Sequence, residues 1–230
     1  MHARFWCLAV VLALAGCGRS PQPDSAPPRE PAAPAPAPAA PADHRPVIAA
    51  FGDSLTAGFG LEPGQSYPDF LQKELDRRGY AYRVANAGIS GDTTTDGLAR
   101  LGVVLADHPA IVILEFGGND GLRGLPVDTT RANLDQMIAC LRQGGATVVL
   151  AGMTLPPNYG PQYIQKFQRI YPDLAAKYKL PLIPFLLAGV AGHSQYMQRD
   201  GLHPTAEGCR LVASNVLQVL EPLLRRGSVK

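Results

Sequence analysis

Val47-Ile48-Ala49-Ala50-Phe51-Gly52-Asp53-Ser54-Leu55 is an apolar run that stops at a glycine and passes into an acidic and a hydroxyl residue. An apolar run without polar alternation reads as a strand covered on both faces, as strands of a parallel sheet are. Tyr67 to Arg78 follows as a helix, with Ser66 as N-cap and Pro68 in the first turn. Strand, loop and helix in that order are the unit from which an α/β fold is repeated.

The repeat continues down the chain. Tyr82 to Ala85 reads as a second strand, and Leu98, Leu101, Val104 and Leu105 lay one apolar stripe on the next helix. Ala110 to Phe116 is the third strand; Leu134, Met137, Ile138 and Leu141 mark a helix closed by Gly144-Gly145. Thr147 to Ala151 supplies a fourth strand. Ile164, Phe167, Ile170, Tyr171 and Leu174 keep helical spacing, although Pro172 must kink or split that helix. Leu180 to Phe185 is a fifth strand, and a last helix runs from about Thr205 to Arg225 on Val212, Val216, Val219 and Leu223. These elements predict a three-layer α/β/α fold around a five-stranded parallel sheet, joined by right-handed crossovers in the flavodoxin-like order 2-1-3-4-5. Such sheets bind ligands beyond the carboxyl ends of the strands, beside the first.

Four short motifs fall at or after that rim: Gly52-Asp53-Ser54-Leu55, Ile89-Ser90-Gly91-Asp92, Gly117-Gly118-Asn119-Asp120 and Asp200-Gly201-Leu202-His203. Ser54 is the candidate nucleophile, little crowded between Gly52 and the Gly58–Gly60 stretch. His203 is the candidate base, because Asp200 precedes it at a spacing that can orient an imidazole. His193, in Gly192-His193-Ser194, is the rival base. The Ser54 N–H, the Gly91 N–H and the Asn119 amide are candidate oxyanion donors, glycine suiting the role because backbone can approach a substrate closely there. Gly91-Asp92-Thr93 also reads as a tight turn leading into an N-cap, and Asn119 as a turn residue after two glycines. Gly-x-Ser-x-Gly does not surround Ser54, which argues against the nucleophile elbow of α/β-hydrolases.

Those four blocks resemble the SGNH (GDSL) hydrolase family. Phe51 to Gly58, Ile89 to Thr93, Gly117 to Gly124 and Leu155-Pro156-Pro157-Asn158-Tyr159-Gly160 look like its bacterial thioesterase I/arylesterase branch, over about Val47 to Leu224. The resemblance implies a serine esterase with Ser54, Asp200 and His203 catalytic, Gly91 and Asn119 as oxyanion donors, and no metal or cofactor. Its implied substrates are short- to medium-chain acyl or aryl esters, with thioesters and lysophospholipids within the branch. The loop Gly121 to Val127 occupies the place of a mobile substrate loop, so Leu122, Leu125 and Pro126, with Leu155 and Pro156, are candidates to contact the acyl group. A glycan O-deacetylase and a non-catalytic binding lipoprotein are the alternatives.

The ends of the chain bear on location. Met1 to Gly16 has a basic start at Arg4 and an apolar stretch, Phe5 to Ala15, too short for a spanning helix, so it reads as a signal peptide. Leu14-Ala15-Gly16-Cys17 resembles a bacterial lipobox, which makes Cys17 the lipidated residue. Gly18 stands where an inner-membrane retention signal would place an aspartate, which favours the outer membrane, facing the periplasm. Residues 17–46 are rich in Pro and Ala and read as a semi-rigid tether, leaving 47–230 as the hydrolase domain. The expected partners are a small acyl ester and, through the lipid, a membrane. A net charge of +2 without a Lys/Arg run argues against nucleic acid, and a monomer is expected. Cys140 and Cys209 are predicted to stay unpaired, because the topology puts their helices on opposite faces of the sheet.

Overall fold

The computed structural model describes residues 43–225. The segments expected to be a signal peptide and most of a tether, with the candidate lipidation residue Cys17, lie outside the described residues, as do 226–230. In chain order the elements are β1 (Val47–Gly52), α1 (Ser54–Ala57), α2 (Tyr67–Arg77), β2 (Arg83–Gly88), α3 (Thr94–Ala99), α4 (Leu101–Ala106), β3 (Ile111–Glu115) and α5 (Gly118–Leu122). They continue with α6 (Val127–Gln143), β4 (Thr147–Ala151), α7 (Pro161–Gln168), α8 (Ile170–Tyr178), β5 (Leu182–Ile183) and α9 (Ala206–Leu220). The sheet is parallel throughout, in the predicted order β2-β1-β3-β4-β5.

Every residue of β1 and β3 is buried, as strands at the middle of a covered sheet must be. α2 packs against α9, while α6 packs against α3 and α8. Right-handed crossovers from this strand order put the two groups on opposite faces. Cys140 on α6 and Cys209 on α9 are accordingly unpaired. Gly52 pairs with Gly88 on one side and Glu115 on the other, so the three motif-bearing loops leave the sheet at one level. Both glycines are required by close approach. A methyl group at Gly52 would run into Glu115, and one at Gly88 into the backbone of Ala57 in α1.

Several elements differ from the sequence reading. β2 begins one residue later than expected and extends to Gly88, because Asn86, polar and half-exposed on an edge strand, still pairs with Ala50 while its amide donates to the Thr56 carbonyl at 2.9 Å. The single helix expected around Leu98–Leu105 is two, broken at Arg100. That side chain runs over the Phe51 and Phe116 rings to the carbonyls of Ala87 (2.8 Å) and Gly52 (2.9 Å) and to Asp92 (2.6 Å). The helix containing Pro172 is split as expected, but at Arg169, which places Pro172 in the first turn of α8 where no N–H is missed. β5 is only two residues long, and α9 ends at Leu220, where Pro222 permits only a 3₁₀ turn. Residues 54–57 and 118–122, read as loop, are short helices.

Candidate active site

Ser54 is the first residue of α1, and Asp53 caps that helix by accepting the Leu55 N–H at 3.0 Å. As the first helical residue, Ser54 has no intrahelical acceptor for its own N–H. Its Oγ lies 2.9 Å from His203 Nε2, across 149 residues of chain. His203 Nδ1 lies 2.7 Å from Asp200 Oδ2, whose other oxygen accepts the N–H groups of Leu202 (2.9 Å) and His203 (3.1 Å). A carboxylate only accepts, so Nδ1 carries the proton and Nε2 is free to accept from Ser54. Burial pushes the Asp200 carboxyl up, but the His203 side chain and the two backbone donors outweigh it and hold it at about 2. His193 is exposed, its ring turned to the Ala191 carbonyl at 3.3 Å and to Tyr196, and it takes no part in this relay.

Beneath the serine sits a buried pair of carboxyls that the sequence reading did not single out. Glu115, at the end of β3, is wholly buried, and Asp53 is 2% exposed. Glu115 Oε2 accepts from the Asp53 N–H (3.2 Å) and the Thr56 hydroxyl (2.8 Å), whereas Oε1 has no donor among the described residues. Burial pushes both carboxyls up, Glu115 further because the Asp53 charge faces it. Of the two, Glu115 is therefore the carboxyl that holds a proton more strongly. Asp53 Oδ2 in turn receives the Asn119 amide at 3.2 Å, and the same nitrogen donates to the Asp92 carbonyl at 2.9 Å.

A cavity of about 510 Å³ opens beside Ser54. Ser54, Asn119 and His203 form one part of its wall, and Leu122, Leu155 and Pro156 another. Met153, Phe185, Leu187 and Met197 add to a largely apolar lining and were missed by sequence reasoning. Met153 follows β4, and Phe185 and Leu187 follow β5, so the rule that ligands gather at strand carboxyl ends could have found them. Leu125 and Pro126 do not line the cavity. The Leu125 backbone is held between the Asp120 carbonyl (2.9 Å) and the Tyr163 hydroxyl (2.8 Å), and Pro126 is the N-cap of α6. Gly121 and Leu122 belong to α5 rather than to a loop. Gly91 is exposed, at φ +90°, and lies outside this wall, its carbonyl drawn to Arg123 at 2.8 Å. Its neighbour Asp92 supplies the carbonyl that orients Asn119.

The arrangement has counterparts among known proteins. An esterase, TesA, of Pseudomonas aeruginosa is 49% identical over 179 residues, which is 77% of this chain and 89% of that protein. An arylesterase of Vibrio mimicus is 42% identical over 174 residues, 75% of this chain and 87% of that one. A crystal structure of TesA superposes with a TM-score of 0.75 at 47% identity, covering 77% of this chain and 99% of that one. Residues 50–211, from inside β1 to inside α9, match the GDSL-like Lipase/Acylhydrolase family as a whole. With that match spanning all four blocks, and with relatives this similar covered over most of their length, the chain belongs to the GDSL-like lipase/acylhydrolase family and is a carboxylic-ester hydrolase.

Proposed function

We propose that this hydrolase works by acylation and deacylation at Ser54 on short- to medium-chain acyl and aryl esters, with thioesters and lysophospholipids as related substrates. The observation that carries the reading is the relay Ser54–His203–Asp200 at the mouth of an apolar cavity. As Ser54 Oγ attacks the ester carbonyl, its proton passes to His203 Nε2, and Asp200 stabilises the imidazolium. The carbonyl oxygen takes the negative charge beside the Ser54 N–H and the Asn119 amide, and the Gly91 N–H, outside the cavity wall, is the third donor that the family resemblance implies. Each such donor is worth about 3 to 4 kcal/mol in a transition state. The longer of the two Asn119 bonds, to Asp53, is the one the oxyanion would share or displace. Collapse breaks the bond to the leaving alcohol, which takes the proton from His203. Water, deprotonated by the same imidazole, then attacks the acyl-enzyme and releases the acid.

Leu122, Leu155 and Pro156, with Met153, Phe185, Leu187 and Met197, would hold the acyl chain. Trapping the intermediate tests this: acid quench of a p-nitrophenyl butyrate reaction should leave a butyryl group on the peptide containing Ser54. Release of acetate from acetylated glycan, without turnover of butyryl or longer esters, would contradict it.

The leader and lipobox support a further part of the reading: a protein lipidated at Cys17 after loss of 1–16, held on the outer membrane and facing the periplasm as a monomer on a Pro/Ala tether. Among the described residues no helix is long and apolar enough to cross a membrane. Labelled palmitate should enter the wild-type chain and not Cys17→Ser. Equal labelling of the two would refute the anchor.

A further inference from the structure

Two segments meet at the Ser54–His203 contact. Residues 54–60 leave β1 through α1, and residues 196–205 lead into α9. Apart from that contact, one hydrogen bond joins them among the described residues: Gln198 Nε2 donates to the Phe59 carbonyl at 2.7 Å. The same amide nitrogen donates to the Pro204 carbonyl at 2.9 Å, so its two hydrogens are divided between the two sides of the site. Phe59 is tied directly to the nucleophile, its N–H donating to the Ser54 carbonyl at 3.1 Å. Its half-exposed ring lies with its centroid 4.6 Å from that of His203.

Gln198 is equally tied to the base. Its N–H donates to the His203 carbonyl at 2.8 Å, and its carbonyl accepts from Gly201 at 3.0 Å. The loop closed in this way contains both Asp200 and His203, and Met197 pairs with Pro204 just outside it. The carboxamide also fills the space over Gly60, where any side chain would collide with it.

We propose that Gln198 is a positioning residue, whose carboxamide clamps the loop carrying Asp200 and His203 to the segment carrying Ser54. The proposal rests on the Ser54–His203 reading of the site. Nucleophile and base come from segments far apart in sequence, and a displacement of about 1 Å between reacting groups costs on the order of 10²-fold in rate. Gln198 is not in the cavity wall, so substrate binding should be insensitive to it. Its influence should reach the reaction only through the alignment of His203 on Ser54.

Gln198→Met keeps the length of the side chain and removes both donors. With p-nitrophenyl butyrate it is expected to lower kcat by at least about tenfold, with KM within about threefold of wild type. Labelling of Ser54 by a fluorophosphonate should slow in parallel. In a His203→Ala background the same substitution should leave the residual rate unchanged, since the group it positions is gone; a general loosening of the fold would lower that rate further. Gln198→Glu, which turns an acceptor toward the same two carbonyls, answers the question if the Met variant does not fold. Wild-type kcat in the variant that folds, or an equal loss with and without His203, overturns the clamp. Ser54→Ala as a control separates the two readings. If it is inactive while Gln198→Met is fully active, only the clamp fails; if it keeps wild-type turnover, the site reading itself fails.

Discussion

Asp200→Asn separates the chemistry of the relay from the stability of the loop that carries it. Asp200 Oδ1 accepts two backbone N–H groups and Oδ2 faces His203 Nδ1, so all three neighbours are donors. An asparagine has one oxygen to offer. If that oxygen stays on the backbone donors, its NH₂ faces Nδ1 and forces the proton to Nε2, where it points at Ser54 and the base is lost. If the oxygen turns to His203, the NH₂ opposes two N–H groups and the loop is strained. The buried aspartate of a serine protease is worth about 10⁴ in kcat. Here the Asp200 side chain is 38% exposed, so water screens part of its charge, and a drop of about 10² to 10³ is expected. The fold should be little affected at neutral pH. The depressed carboxyl contributes stability that is present above its ordinary value of 3.8 and lost as pH falls through about 2. Because the group is exposed, that contribution is below about 1 kcal/mol. The assay is kcat and KM with p-nitrophenyl butyrate beside a thermal melt. Turnover within about threefold of wild type in a folded variant would refute the orienting role of Asp200.

Two further outcomes follow from the buried groups. Burial and the facing Asp53 charge raise the Glu115 carboxyl well above its ordinary value of 4.5, so it contributes stability that is present below 4.5 and lost as pH rises through the folded value. Glu115→Gln should therefore gain stability relative to wild type as pH rises above 4.5 in urea titrations, and parallel curves would exclude a protonated Glu115. Met153→Phe narrows the apolar cavity, and each methylene denied burial costs about 0.8 kcal/mol. The octanoate-to-butyrate ratio of kcat/KM should fall by about tenfold if one or two methylenes are excluded, and an unchanged ratio would place the acyl chain elsewhere.

The legible parts of this protein were those set by local pattern. Uninterrupted apolar runs marked β1, β3 and β4 nearly to the residue, because a strand covered on both faces leaves no other place for Val148 or Ile113. Ser54, Asp200 and His203 stood out because their chemistry needs those residue types, and strand order alone brought the first three motifs to one rim. What was not legible depends on contacts distant in sequence. The break at Arg100 is marked by no proline; it becomes intelligible only when the guanidinium is seen to reach two strand ends. Gln198 is an ordinary loop glutamine until its amide is seen between Phe59 and Pro204. Glu115 ends an apolar strand and would ordinarily be read as solvated, yet it is buried because Asp53 and Thr56 donate to it. Leu125 and Pro126 were candidate substrate contacts through the family resemblance of their loop; neither lines the cavity, and the Leu125 backbone is bonded to Asp120 and Tyr163.

Ser54 is the proposed nucleophile, and Ser54→Ala with p-nitrophenyl butyrate tests that role. The wild-type protein should take up one equivalent of a fluorophosphonate at Ser54 and lose its activity in proportion. The folded alanine variant should take up none and retain less than about a thousandth of wild-type kcat/KM. Wild-type turnover in that variant, or probe attached at another residue, would contradict the account.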